Sequence, residues 1–276
     1  MTAADTPARG EQESVSAHFD AAALYWQEVY DDPRLQGVIY RARQEAVLAR
    51  VAEDRPADGS VLEIGCGAGL LTLALAQRGF AVEAVDVSQE MVELAARRAE
   101  VAGLAERISV RQADVLALPF ESASFSLVVA VGVLPWLLQP ELALQEIARV
   151  LRVGGVLILT ADNRARLNTF VDPRASMLLA PLKRLRRRIR PPTGAIGATS
   201  RLHYPSHVNA LVRGAGFRVG RASTVGFGPF SLWSRPLLSE PAAVAAHRRL
   251  QRLAERRVPV ARGTGWHYLL SAKKVD

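Results

Sequence analysis

Val61-Leu62-Glu63-Ile64-Gly65-Cys66-Gly67-Ala68-Gly69 decides the reading of this 276-residue chain. An apolar run ends at Ile64, and Gly65, Gly67 and Gly69 then turn the chain into a helical pattern. Glycine permits positive φ and lets a ligand approach the backbone closely. The dinucleotide fingerprint GxGxxG would need a glycine where Leu70 stands. Glu63 adds a second signal, two residues before the first glycine. A carboxylate there would repel a pyrophosphate, but it suits a ligand carrying an ammonium group. The turn therefore points to a nucleoside bearing an amino acid rather than to NAD.

Outward from the turn, strand-like runs at Ser60–Ile64, Ala81–Val85, Ile108–Gln112, Phe125–Val131 and Gly155–Thr160 alternate with helical stretches. Those helices are Leu70–Arg78, Ser88–Ala102 and Pro140–Leu151. The alternation predicts βαβ units, a parallel sheet and helices on both faces, a doubly wound α/β fold. Asp86 ends the second strand, 21 residues after Gly65, where a partly exposed carboxylate can accept both hydroxyls of a ribose. Asp114 follows the third strand, placed to meet an adenine amino group. Leu151-Arg152-Val153-Gly154-Gly155-Val156-Leu157-Ile158-Leu159 reads as a helix end, a glycine turn and a fifth strand.

The flanks complete the organisation. Residues 1–13 are polar and read as a disordered tail, and 14–276 as one domain. Its N-terminal helices lie within 14–55, at Ser16–Tyr30 and Gly37–Glu53. After Asn163 the rhythm breaks. A helix at Pro205–Ala215 leads to strands at Phe217–Val225 and Trp266–Ala272. Insertions at about 164–204 and 226–265, the latter helical over Pro241–Arg257, read as a lid.

At these residues the chain resembles the class I S-adenosylmethionine-dependent methyltransferases, in particular the broad family related to ubiquinone-biosynthesis and small-molecule methyltransferases. The resemblance covers Val61 to Thr160, and Ala215-Gly216-Phe217 at the sixth strand agrees with it. It implies a Rossmann-like seven-stranded sheet ordered 3-2-1-4-5-7-6 with strand 7 antiparallel, and S-adenosylmethionine as cofactor. The implied cofactor residues are Glu63, Gly65, Cys66, Gly67 and Gly69 of the turn, then Asp86, Val87 and Met91. Asp114 and Val115 follow on the adenine side, with Val131 at the end of the fourth strand. Two departures stand out. Val153 replaces the usual proline before the glycine pair. Leu134-Pro135-Trp136-Leu137 stands where the family often has a histidine pair, so no catalytic role tied to that pair transfers to this chain.

No catalytic residue is assigned. If the acceptor is a hydroxyl, a base helps, and histidine is the usual one. His18, on the N-terminal helix, and His203 and His207 are the candidates. The i,i+4 spacing of His203 and His207 lacks a carboxylate or cysteine to complete a metal site, and no metal is expected. His247 reads as a surface residue and His267 as a packing residue of the last strand. Tyr25, Trp136, Tyr204, Phe227, Phe230 and Trp233 are candidates for an apolar substrate pocket.

Composition narrows the class. The single cysteine, Cys66, excludes an intrachain disulfide. No apolar run is long enough to cross a bilayer, and the first residues do not read as a signal peptide, so a cytoplasmic location is expected. The net charge of +8 is concentrated, because Lys183 to Arg190 holds six basic residues and no acidic one. Interleaved with Leu185 and Ile189, that stretch reads as a solvated cap helix or as a peripheral contact with anionic membrane. Nucleic acid is a less favoured partner. The expected function is methylation, chiefly O-methylation, of a hydrophobic small molecule. An RNA or protein methyltransferase docking through the basic patch, and a non-catalytic cofactor-binding scaffold, are the alternatives.

Overall fold

The computed structural model describes residues 14–54, 59–171, 200–233 and 235–275. Seven strands form the main sheet: β1 (Ser60–Ile64), β2 (Ala81–Asp86), β3 (Ile108–Gln112), β4 (Phe125–Ala130), β5 (Leu151–Asp162), β6 (Phe217–Val225) and β7 (His267–Lys274). Their order is β3-β2-β1-β4-β5-β7-β6. β1 to β5 pair in parallel, and β7 runs antiparallel to both β5 and β6. The expected order and the antiparallel strand are therefore present. The strand order reverses between β1 and β4, the crevice where open α/β sheets bind ligands.

Side-chain alternation divides the core between two faces. Leu62, Ile64, Val128, Leu157 and Leu270 pack towards helices α5 (Pro140–Val150) and α7 (Pro205–Gly214). Val61, Leu127, Val129, Ile158 and Leu269 pack on the other face with Val47 and Leu48 of α2 (Leu35–Glu53), Leu71 and Leu75 of α3 (Leu70–Ala76), and Ala95 of α4 (Gln89–Val101). Glu63 shares the parity of Val61 and so points at the second face.

Local chemistry explains the helix starts. Gly69 adopts the left-handed conformation ahead of α3. The Ser88 hydroxyl accepts from Met91 N at 3.1 Å and caps α4. Prolines open α5 and α7, where no N–H is needed.

Three expectations change. Leu151 to Gly155 is not a turn before the strand. β5 begins at Leu151, and Phe125 pairs with Leu151 but Leu127 with Val156, so Gly154 and Gly155 sit in a bulge. The helix expected at Ser16–Tyr30 is interrupted near Ala22, leaving helical residues 14–21 and α1 (Ala23–Glu28). The 226–265 segment lies against α2 rather than along the cavity wall. Its helix α8 (Glu240–Glu255) backs onto α2, where Ala243 meets Leu35 and Ile39 and Glu240 accepts from Leu35 N at 3.0 Å. None of its described residues lines the cavity below. Most of the first insertion, 172–199, including Lys183–Arg190, lies outside the described residues.

Candidate functional site

Beyond the C-terminal ends of the strands lies a cavity of about 410 Å³. The glycine turn forms one end of it. Gly65 N and Cys66 N both donate to Val85 O, which ties the turn to β2. The three glycines have φ of +70°, +52° and +80°. A Cβ on Gly65 would stand 2.5 Å from the Val133 side chain, and one on Gly69 would stand 2.8 Å from Ala95. On Gly67 it would meet no protein atom within 4 Å, so that glycine serves the backbone conformation and ligand approach. Gly69, by contrast, serves helix packing and does not line the cavity.

Three carboxylates follow from the strand ends. Glu63 is 2 % exposed and accepts from the Thr72 hydroxyl at 2.6 Å. Burial pushes its carboxyl up to about 8, with the Thr72 bond opposing and the Asp86 charge assisting. It is therefore protonated at neutral pH, and an ammonium group beside it would favour the ionised form. Asp86 is buried rather than partly exposed. Its oxygens accept from Gly67 N at 2.8 Å and from Ser88 N at 3.0 Å, so it braces the turn as well as lining the cavity. Burial raises its carboxyl, and the backbone bonds from Ser88 and Gly67 oppose that rise. Asp114 accepts from Leu116 N at 2.8 Å and lies on the far side of Asp86. Of the residues expected at the cofactor, Glu63, Gly65, Cys66, Gly67, Asp86, Val87, Met91, Asp114, Val115 and Val131 all line this one cavity. Burial pushes the Cys66 thiol well up, so it is no nucleophile at neutral pH.

The cover comes from the N-terminus. His18 packs against Trp136 with ring centroids 5.1 Å apart, and Phe19 meets the same indole edge-on at 5.1 Å. The Ser16 hydroxyl donates to Val87 O, and the Ser88 hydroxyl donates to Asp20. Residues 14–21 thus bridge from the end of β2 to the 3-10 turn Leu134–Trp136 after β4.

The other expected residues divide by position. His18 and Trp136 line the cavity. His203 is buried beneath His207, rings stacked 5.8 Å apart, and neither lines it. Tyr25, Tyr204, Phe227, Phe230 and Trp233 are also absent from its wall. Phe227 is a core residue, Phe230 packs with Leu35 and Ile39, and Trp233 is exposed. His247 is no surface residue: it is buried, and its Nδ1 accepts from Phe227 N at 3.0 Å.

Sequence reading passed over the opposite end of the cavity. There Tyr30, Tyr40 and Arg43, brought by the first helices, meet Asp162 at the end of β5 and Trp266 and His267 at the start of β7. Arg43 is buried, its Nη2 donates to the Tyr30 hydroxyl at 3.1 Å, and its guanidinium lies over the Tyr40 ring. Its Nε has no hydrogen-bond partner among the described residues. A Cβ on Gly132 would stand 3.4 Å from its Nη1, which locates the cation at the end of β4. The one available signal was Asp162 itself, an acid at the C-terminal end of a parallel strand.

Comparison with known proteins agrees with this fold. Residues 62–159 match the family model described as a methyltransferase domain. A ubiquinone biosynthesis O-methyltransferase of Caulobacter vibrioides is 32% identical over 163 residues, 54% of this chain. The matched stretch covers 62% of that relative, less than two thirds of its length. Among solved structures, the (4+2)-cyclase SpnF superposes with a TM-score of 0.62 at 21% identity, covering 95% of each chain. A magnesium protoporphyrin IX methyltransferase from Synechocystis PCC 6803 with bound SAH gives 0.58 at 19% identity, covering 94% of this chain and 98% of that one. At such identities the two structures share the fold.

Proposed function

We propose that this chain, a member of the class I S-adenosylmethionine-dependent methyltransferases by its residues 62–159, transfers a methyl group to a hydroxyl oxygen of an apolar small molecule. The observation that carries this reading is the single cavity that joins the turn carboxylates to an aromatic wall. The residues fit the cofactor's chemistry. Glu63 and Arg43 suit the ammonium and carboxylate of a methionine moiety, Asp86 the ribose hydroxyls, and Asp114 the adenine amino group. Met91, 1 % exposed, supplies an apolar surface for the base. When bound, S-adenosylmethionine supplies an electrophilic methyl on a sulfonium. This chain contributes position and exclusion of water: Phe19, Trp26 and Trp136 close the cavity from the N-terminal side, and Tyr40 and Trp266 wall the end beyond Gly132. Holding two reactants in line supplies much of the acceleration in such a displacement. The likeness to an O-methyltransferase of ubiquinone biosynthesis supports a small-molecule acceptor.

The test is a thermal scan with S-adenosylhomocysteine and, separately, NAD. A ligand at 100 times its Kd stabilises by about 2.7 kcal/mol, which for a chain of this size raises Tm by roughly 5–10 °C. The expected result is a shift with S-adenosylhomocysteine and none with NAD. The reverse pattern removes the cofactor assignment.

A further inference from the structure

Asp162 closes β5, and its place relative to the glycine turn follows from the register of the sheet. Glu63 pairs with Val129 and Val129 with Ile158, so the three align across β1, β4 and β5. Asp162 lies an even number of residues beyond Ile158, with no break in the pairing to β7 between them. Its side chain therefore leaves the sheet on the face of Glu63, the face that carries α2. Two strand steps separate it from the glycine turn, roughly 10 Å at about 4.8 Å per step. Turn and carboxylate line the same cavity. Ala161, Asn163, His203 and His267 around Asp162 are buried, yet its side chain is 18% exposed, so the open part is the part turned to the cavity.

Only one of the two carboxylate oxygens is engaged: Oδ1 lies 3.2 Å from His267 Nδ1. Oδ2 has no hydrogen-bond partner among the described residues and, unlike His267 Nε2, is not enclosed by protein atoms. Burial acts to raise the carboxyl, but the His267 hydrogen bond and the Arg43 and Arg166 charges hold it below the usual carboxylate range. An ionised carboxylate only accepts, so Oδ2 is an open acceptor beside Tyr40, Trp266 and Arg43. Arg43 stands at the end of β4, the strand between β1 and β5. With Arg43 assigned to the cofactor's carboxylate, Asp162 is left for the other reactant.

We propose that Asp162 Oδ2 receives the hydroxyl of the methyl acceptor and holds it in the cavity facing the glycine turn. The inference rests on the methyl-transfer reading above and deepens it, because it names the group that orients the acceptor. A hydrogen bond to a carboxylate is shorter and stronger than one to a neutral group, so it fixes the hydroxyl oxygen and leaves a lone pair directed away from the bonded proton. That lone pair forms the new C–O bond while the methyl carbon's bond to sulfur breaks, its electron pair staying on sulfur. The O–H proton passes to Oδ2 and from there to solvent. A weakly basic carboxylate suffices, because an oxygen gaining a carbon substituent becomes a stronger acid than a carboxylic acid.

The experiment uses the full chain, labelled with 13C and 15N and saturated with S-adenosylhomocysteine, so that the Asp162 carboxyl carbon is assigned through its own backbone resonances. Millimolar catechol is expected to move that carboxyl signal, and 1,2-dimethoxybenzene, which has no hydroxyl, to leave it in place. Asp162→Asn, which keeps the shape but not the charge, is expected to hold S-adenosylhomocysteine at least as tightly as wild type and to lose about 10²–10⁴-fold in kcat towards catechol. A carboxyl signal that catechol leaves unmoved, one that the dimethyl ether moves equally, or wild-type turnover in Asp162→Asn overturns the assignment. The wild-type spectra decide it alone if the variant does not fold. Calorimetry on the wild type separates the two levels of the reading. Absent S-adenosylhomocysteine binding sinks the methyltransferase function itself, whereas binding with an unmoved Asp162 signal sinks only the acceptor contact.

Discussion

The two ends of the cavity are built differently. At the glycine turn, Glu63, Gly65 and Gly67 lie within five residues, and Asp86 closes the unit through hydrogen bonds to Gly67 N and Ser88 N. At the far end, Tyr40, Arg43, Asp162 and His267 come from three elements separated by more than a hundred residues of chain. The first end is a backbone device, whose specificity lies in φ angles and close approach. The second is a side-chain device, held by cross-strand register and by α2 lying over the sheet. One fold can therefore keep the turn end constant while the far end changes by substitution at scattered positions.

If the turn is a backbone device, its largest vulnerability is conformational. Gly69→Val would force a β-branched residue to φ +80° and set its Cβ within 3 Å of Ala95. Strain and overpacking together should cost about 3–5 kcal/mol of stability, read by denaturant unfolding. A cost under about 1 kcal/mol would mean that the turn tolerates side chains and that the contrast between the ends is overstated.

A smaller effect is electrostatic and depends on pH. Glu63 is held near 8 when free and near the usual carboxylate value when unfolded. Its folded state keeps a proton that the unfolded state has released, so the free protein loses stability as pH rises from about 4.5 to 8, by a few kcal/mol. Glu63→Gln should abolish that slope, unfold at higher denaturant than wild type at pH 8, and bind S-adenosylhomocysteine roughly 10- to 100-fold more weakly. Unfolding curves at pH 5 and pH 8, with calorimetry, check all three. Equal pH slopes in the two proteins would detach Glu63 from this behaviour.

The smallest effect probes the junction of the two ends. Trp136→Ala removes the indole that His18 and Phe19 pack on. Paired aromatic contacts are worth about 0.5–1.5 kcal/mol each beyond their area. Hydrogen exchange of residues 14–21 should accelerate by roughly one order of magnitude, with the protection of β1 to β5 unchanged. Unchanged exchange at 14–21 would show that Ser16 and Asp20 alone hold the cover.

The sequence by itself determined the architecture and the glycine-turn end of the cavity. Strand and helix periods, the glycine spacing and the acids at strand ends are local, and each dictates backbone conformation within a few residues. Its omissions have a common cause. The contact between Asp162 and His267 could not be read, because the two meet only through the β5–β7 register. Phe227 and Phe230 read as pocket residues because aromatic character does not reveal which side of α2 a segment packs on. His247 read as a surface residue because the arginines beside it hide a turn of helix that faces Phe227 N. Tertiary structure alone decided these positions, because side-chain burial and cross-strand pairing depend on where distant segments dock, and one chain's local pattern is compatible with either face.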